Sequence, residues 1–159
     1  ADVVGQEQNV DDEIVKRAER LVANGPRRVL VVDDSKVARS QIQKMLEQLG
    51  IQSTLLRDGR EALNYLSEMA EKGMDPAQEF LMVISDVEMP DMDGYTLTTE
   101  IRRHPKLRHL YVILHTSLSG VFNNAMVQKV GADRFIAKFN ADELAQGVLD
   151  LVRERQAAA

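Results

Sequence analysis

The stretch Arg28-Val-Leu-Val-Val-Asp-Asp-Ser-Lys36 joins four apolar residues, Val29 to Val32, directly to two adjacent acids, Asp33 and Asp34. A run this short, apolar and rich in β-branched residues reads as a strand buried on both faces, the pattern of a parallel sheet. Two carboxylates side by side at its end repel each other and require a compensating cation or a bound proton.

Four further apolar runs follow: Ile51 to Leu56, Phe80 to Ser85, Tyr111 to His115 and Arg134 to Ala137. The stretches between them carry helix punctuation. Ser35 caps a helix with the apolar stripe Val37, Ile42, Met45, Leu46 and Leu49, stopped by Gly50. Asp58 with Glu61 forms a capping box for a helix reaching about Gly73. A third helix carries Tyr95, Leu97 and Ile101 and ends before Pro105. Gly131 stops a fourth, and Asn140 with Glu143 opens a fifth that presents Leu144, Val148, Leu149 and Val152. Strands alternating with helices imply βαβ units and a doubly wound parallel sheet of class α/β. Ligands of such sheets bind outside the carboxyl ends of the strands.

Residues 1–27 stand outside the alternation. Asp11 to Val22 suits a helix with Ile14, Val15, Ala18, Leu21 and Val22 on one side, closed by Gly25-Pro26. An added packed helix and a partly ordered linker both remain open. At 159 residues, 44% hydrophobic and 28% charged, the chain suits one domain plus a small appendage. A formal net charge of -5 argues against duplex DNA or an anionic membrane as a direct partner. The absence of cysteine excludes disulfides and thiolate chemistry. No apolar run approaches a membrane span and no signal-peptide pattern opens the chain, so it reads as soluble and cytoplasmic. A start at Ala1 and an end in Ala-Ala-Ala suggest an excised fragment.

The residues at the strand ends are Asp33 and Asp34 after the first, Asp86 after the third, Thr116 after the fourth and Lys138 after the fifth. Singly, each has an ordinary explanation as a turn residue, cap or surface charge. Jointly, on one rim, they place three carboxylates, a hydroxyl and an ammonium together. Two like charges about 4 Å apart repel by about 4 kcal/mol at an effective dielectric near 20. A hard divalent cation such as Mg²⁺ relieves this, binding through carboxylates and phosphate oxygens. Lysine and threonine suit a phosphoryl group, and a carboxylate can itself attack phosphorus.

These motifs resemble the receiver (response-regulator) family of two-component signalling. The resemblance rests on Val31-Val-Asp-Asp-Ser35, Ser85-Asp-Val-Glu-Met-Pro-Asp-Met-Asp-Gly94, His115-Thr-Ser117 and Gly131-Ala-Asp-Arg-Phe-Ile-Ala-Lys138, and covers about four-fifths of the chain. It implies a flavodoxin-like sheet in the order 2-1-3-4-5, as in the chemotaxis receiver CheY. It implies that Asp86 accepts a phosphoryl group from a sensor kinase. Asp34 and Asp86 would bind Mg²⁺ directly with the backbone carbonyl of Glu88, and Asp33 through a water. Lys138 would pair with the phosphoryl group, Thr116 would turn towards it, and Phe135 occupies the aromatic switch position. Movement of Thr116 would draw in the following loop, with Leu118, Gly120 and Phe122, and alter the face formed by the fourth helix, fifth strand and fifth helix. Such a domain signals and is no enzyme beyond its own phosphotransfer and dephosphorylation.

Leu114 to Met126 and Ile136 to Leu144 further resemble the receivers of CheV-type chemotaxis proteins, in which a CheW-like coupling domain comes first. Residues 1–27 are then a linker or N-terminal helix, 28–155 the receiver and 156–159 a tail. The partners implied are a CheA-like histidine kinase and, through the coupling domain, the chemoreceptor array. Two features depart from the family. Phe139 follows Lys138 where proline, usually after a cis bond, is the norm, and a non-proline cis bond costs about 2.5–4 kcal/mol. Residues Ser67 to Gln78 read as a loop extension marked by Gly73, Asp75 and Pro76.

Rival readings fit less well. An aspartyl-nucleophile phosphatase needs Asp-x-Asp after the first strand, where this chain has Asp33-Asp34-Ser35. A flavodoxin-like binding module needs a small-residue phosphate loop there, and paired acids repel phosphate. A receiver with another output, a transcription factor included, would carry that output outside these residues.

Overall fold

The run at Val29 forms strand β1 (Arg28–Val32), followed by helix α2 (Lys36–Gln48), strand β2 (Gln52–Leu56) and helix α3 (Gly59–Glu71). A one-turn helix α4 (Pro76–Glu79) precedes β3 (Met82–Asp86), α5 (Gly94–Arg103), β4 (Val112–His115), β5 (Arg134–Ile136) and α6 (Ala141–Ala158). Helix α1 (Asp12–Leu21) comes before them all. The computed structural model describes residues 10–21, 28–116, 128–136 and 141–158. Expectations for Val22, Gly25-Pro26, Ser117, Leu118, Gly120, Phe122, Ala137, Lys138, Phe139 and Asn140 lie outside the described residues.

The five strands are all parallel, in the order β2-β1-β3-β4-β5. Side chains alternate between the two sheet faces. Val29, Val31, Met82, Ile84 and Ile113 pack under α1, α2 and α6, whereas Leu30, Val32, Val83, Val112 and Leu114 pack under α3 and α5. Val29 to Val32 are each fully buried, and each such side chain contributes roughly 1.5–3 kcal/mol relative to exposure.

The helix boundaries follow local chemistry. The Ser35 hydroxyl accepts from the Ala38 N–H, and Gly50, at φ 75°, ends the turn after α2. Asp58 accepts from the Glu61 N–H, but the return bond from Glu61 reaches the Arg57 N–H rather than that of Asp58. Pro105 holds His104 extended (ψ 122°) and terminates α5. Residues 128–130 are helical up to Gly131, at φ 82°.

Three expectations change. Val37 does not join the stripe of α2 and is 67% exposed. At 100° per residue it lies roughly 130° from the mid-line of Ile42, Met45, Leu46 and Leu49. The extension at Ser67 to Gln78 is largely helical: α3 runs to Glu71, and α4 forms because Asp75 caps Ala77 while Pro76 takes the first position. Arg155 of α6 then donates to the carbonyls of Ala77, Phe80 and Leu81. Finally, residues 156–158, expected in a tail, continue α6.

Helix α1 packs on the domain. Val10 and Ala18 are buried in the same cluster as α2 and α6, with Ile14 and Val15 partly buried against it. Arg17 pairs with Asp150 at 3.0 Å, and the Val10 N–H donates to Gln48. Among the described residues no helix is long and apolar enough to cross a membrane.

Candidate functional site

Parallel register sets one row of side chains across the carboxyl rim of the sheet. Val32 pairs with Ser85 and Asp86 pairs with His115, so Asp33, Asp86 and His115 stand abreast at the ends of β1, β3 and β4. Alternation turns all three towards the face of Val31 and Ile84, beneath α2 and α6. One ligand atom from each lies within 4.8 Å of the other two. Asp33 and His115 are buried and Asp86 is half-buried at the floor of an open cleft of about 380 Å³.

Each carboxylate is held by backbone. Asp33 Oδ1 accepts the Ser35 N–H at 2.8 Å, in the same turn that starts α2, while Arg39 donates to the Asp33 carbonyl at 2.7 Å. Asp33 Oδ2 faces His115 Nε2 at 3.4 Å. That nitrogen is buried and has no hydrogen-bond partner among the described residues. The loop after Asp86 folds back because Gly94 lacks a side chain: a Cβ there would fall 2.3 Å from the Asp86 carbonyl oxygen. The Gly94 N–H instead bonds Val87 O at 2.8 Å, and Asp93 caps α5 against the strand end.

The electrostatics match this crowding. Burial pushes the Asp86 carboxyl up to about 7; Asp33 and, less strongly, Asp34 add to it, while backbone N–H groups of Glu88 and Val87 oppose it. Burial also raises Asp33 above the usual carboxylate range. It lowers His115 to about 4, so the imidazole is neutral at pH 7 and its contact with Asp33 is no ion pair there. Clustered carboxyls beside an orphaned buried nitrogen form a donor set that a divalent cation satisfies.

Asp33, Asp34, Asp86, Glu88 and Thr116 line one cleft, together with His115 and the exposed Val37. The convergent trio contains Asp33 and His115, whereas Asp34 stands exposed beside it. Thr116 is buried, and its N–H ties the end of β4 to Ile136 O at 3.3 Å. Phe135 does not line the cleft: it pairs with Leu114 and packs half-buried towards the α3–α5 layer. Lys138 lies outside the described residues. His115 had no role assigned from sequence. Its one sequence signal was a lone imidazole closing an apolar run.

Residues 29–149 match the family model of the response regulator receiver domain. The chain is 33% identical over 121 residues to the chemotaxis protein CheV3 of Helicobacter pylori, covering 76% of this chain and 39% of that protein. It thus spans about two-fifths of the length of that relative. The signal receiver domain of a histidine kinase from Syntrophus aciditrophicus superposes with TM-score 0.67 at 35% identity, over 80% of this chain and 90% of that one. The receiver domain of a sensor histidine kinase from Pseudomonas aeruginosa PAO1, with a magnesium ion coordinated in its active-site cleft, also gives 0.67, at 25% identity over 81% and 99%. With the sheet order, the acidic rim and the match from strand β1 into helix α6 in agreement, the chain belongs to the response regulator receiver domain family.

Proposed function

We propose that this chain is the phosphoacceptor module of a CheV-type chemotaxis protein, with Asp86 as the acceptor. One observation carries the reading: Asp86 ends the central strand in an open acidic cleft, where burial and, after it, the neighbouring acids raise its pKa to about 7. An Asp86 carboxylate oxygen attacks phosphorus of a phosphohistidine on a CheA-like kinase. The P–O bond forms, the P–N bond breaks, and the departing imidazole keeps the electron pair and takes up a proton. The carboxylates of Asp86 and Asp34 and the carbonyl of Glu88 would hold Mg²⁺, with Asp33 acting through a bound water. When bound, Mg²⁺ neutralises charge shared between carboxylate and phosphoryl oxygens. Hydrolysis of the acyl phosphate by water resets the domain.

The new phosphoryl group brings about -1.5 to -2 charges and three acceptor oxygens. Lys138 pairs with it, Thr116 donates its hydroxyl, and Phe135 follows as the switch aromatic. The readout is the face of the helix ending at Gly131, β5 and α6. Residues 28–155 form the receiver and 1–27 the connection to a CheW-like domain that couples chemoreceptors to the cytoplasmic kinase. Similarity to CheV3 supports this context, and the magnesium of the Pseudomonas receiver supports the cation.

Treatment with a small acyl-phosphate donor and Mg²⁺ should add one phosphoryl group to the wild type, seen by intact mass, and none to Asp86→Asn. Equal labelling of the two proteins overturns the assignment.

A further inference from the structure

His115 closes β4 in the same row as Asp33 and Asp86, and the mechanism above leaves it without a task. Its side chain is 6% exposed. Its Nε2 points at Asp33 Oδ2, 3.4 Å away, without forming a hydrogen bond. With the ring hydrogen on Nδ1, two groups that both present lone pairs face each other across that gap, and a carboxylate oxygen of Asp86 completes the triangle within 4.8 Å. Such a gap is closed by a proton or by a cation. From the geometry we infer that His115 Nε2 is a metal donor, making the cation site of this chain a mixed set of carboxylate oxygens and one imidazole nitrogen.

Neutral imidazole is the form that ligates metals. The tautomer with hydrogen on Nδ1 leaves the Nε2 lone pair aimed at the acids. Ile136, next to His115 in the β4–β5 register, is buried and offers no competing polar group on that side. A nitrogen donor changes which ion the site selects. Mg²⁺ is served by oxygen ligands alone, whereas Co²⁺, Ni²⁺ and Zn²⁺ gain from imidazole and rank above it for mixed sites. The site should therefore accept Mg²⁺ but hold a late first-row divalent ion more tightly than an all-oxygen receiver site does.

The inference rests on the cation-binding half of the proposed function and is independent of phosphotransfer. Binding of Mg²⁺ and of Co²⁺ to the metal-free wild type and to His115→Gln is measured by calorimetry, with circular dichroism checking the fold of the variant. Glutamine can still donate an N–H to Asp33 but offers no imidazole nitrogen. The expected result is a loss of roughly tenfold or more in Co²⁺ affinity, with Mg²⁺ affinity nearly unchanged. Equal loss for both ions, or none, overturns the inference and leaves His115 as a hydrogen-bonding neighbour of Asp33. In the Co²⁺-loaded wild type, the His115 ring protons should show large hyperfine shifts in the NMR spectrum. Unshifted His115 signals, or shifts confined to His104 or His109, overturn it even if the variant does not fold. Absence of binding by either ion refutes the cation site itself, an outcome distinct from the failure of the His115 assignment.

Discussion

Asp86 and His115 pull the stability of the metal-free protein in opposite directions. In the folded chain Asp86 keeps its proton up to about pH 7, against an ordinary value of 3.8. Between those values the folded state binds the extra proton, so rising pH destabilises the fold. His115 is neutral in the folded chain down to about pH 4, against an ordinary 6.5, so over that span rising pH stabilises it. The two slopes oppose each other between about 4 and 6.5, and Asp33, also raised, adds to the Asp86 side. Asp86→Asn removes one slope only. In chelator, the urea-derived stability of this variant should therefore gain on the wild type as pH rises from 4 to 7.5. The total gain should be of the order of 2 kcal/mol, discounted from the full linkage value because the cleft is open to water. A difference that stays constant with pH contradicts the crowding described for the site.

At the scale of elements, Arg102 ties α5 to the segments that flank β4 and β5. Its guanidinium donates to the carbonyls of Gly131, Arg108 and Leu110 and pairs at 3.0 Å with Asp133, whose carboxylate also accepts the Val112 N–H. Arg102→Ala should lower stability by about 2–3 kcal/mol, because it strands several acceptors at once. Arg102→Lys should recover little of that, since one ammonium cannot span a fork of acceptors. Both are read from urea midpoints at constant m-value. Elements of this kind mark the boundary of what the chain discloses. The apolar runs at Val29, Phe80 and Tyr111, and the caps Ser35 and Asp58, announce themselves within a few residues, so strands and helices were legible. The order of strands was not: it was carried over from family resemblance. The place of His115 beside Asp33 depends on β1 pairing with β3 and β3 with β4, which no local period encodes. Val37 misled because its apolar character outweighed its angle on the helix. Helix α4 escaped because a single turn is too short to show a helical period, and Asp75 and Pro76, which start it, read equally as loop residues.

At the scale of the molecule, the domain carries α1 as an added layer. Helix α1 meets α6 and α2 through Val10, Ala18, Ile14 and Val15, with Arg17 reaching Asp150. The ion pair is partly exposed and contributes only about 0.2–1 kcal/mol, so the apolar contact dominates. Ala18→Asp buries an unpaired carboxylate at the centre of that contact. It should release α1 while leaving the sheet folded, because every strand pairs only with other strands and α2 and α6 still cover that face. Hydrogen exchange should show protection lost in residues 12–21 and kept in β1, β3 and β4. Uniform loss of protection would mean that α1 is integral to the domain.

Arg155 has a consequence for how the chain comes into being. Its guanidinium fastens Ala77, Phe80 and Leu81, the approach to the central strand β3, from near the end of the last helix. During synthesis β1, β2 and β3 leave the ribosome well before that residue does. The nascent chain therefore holds the entrance to its central strand unclasped until α6 has been made. The domain is completed from α6 backwards, and a domain cut before Arg155 would keep its acidic rim while the opposite end of β3 stayed unlatched.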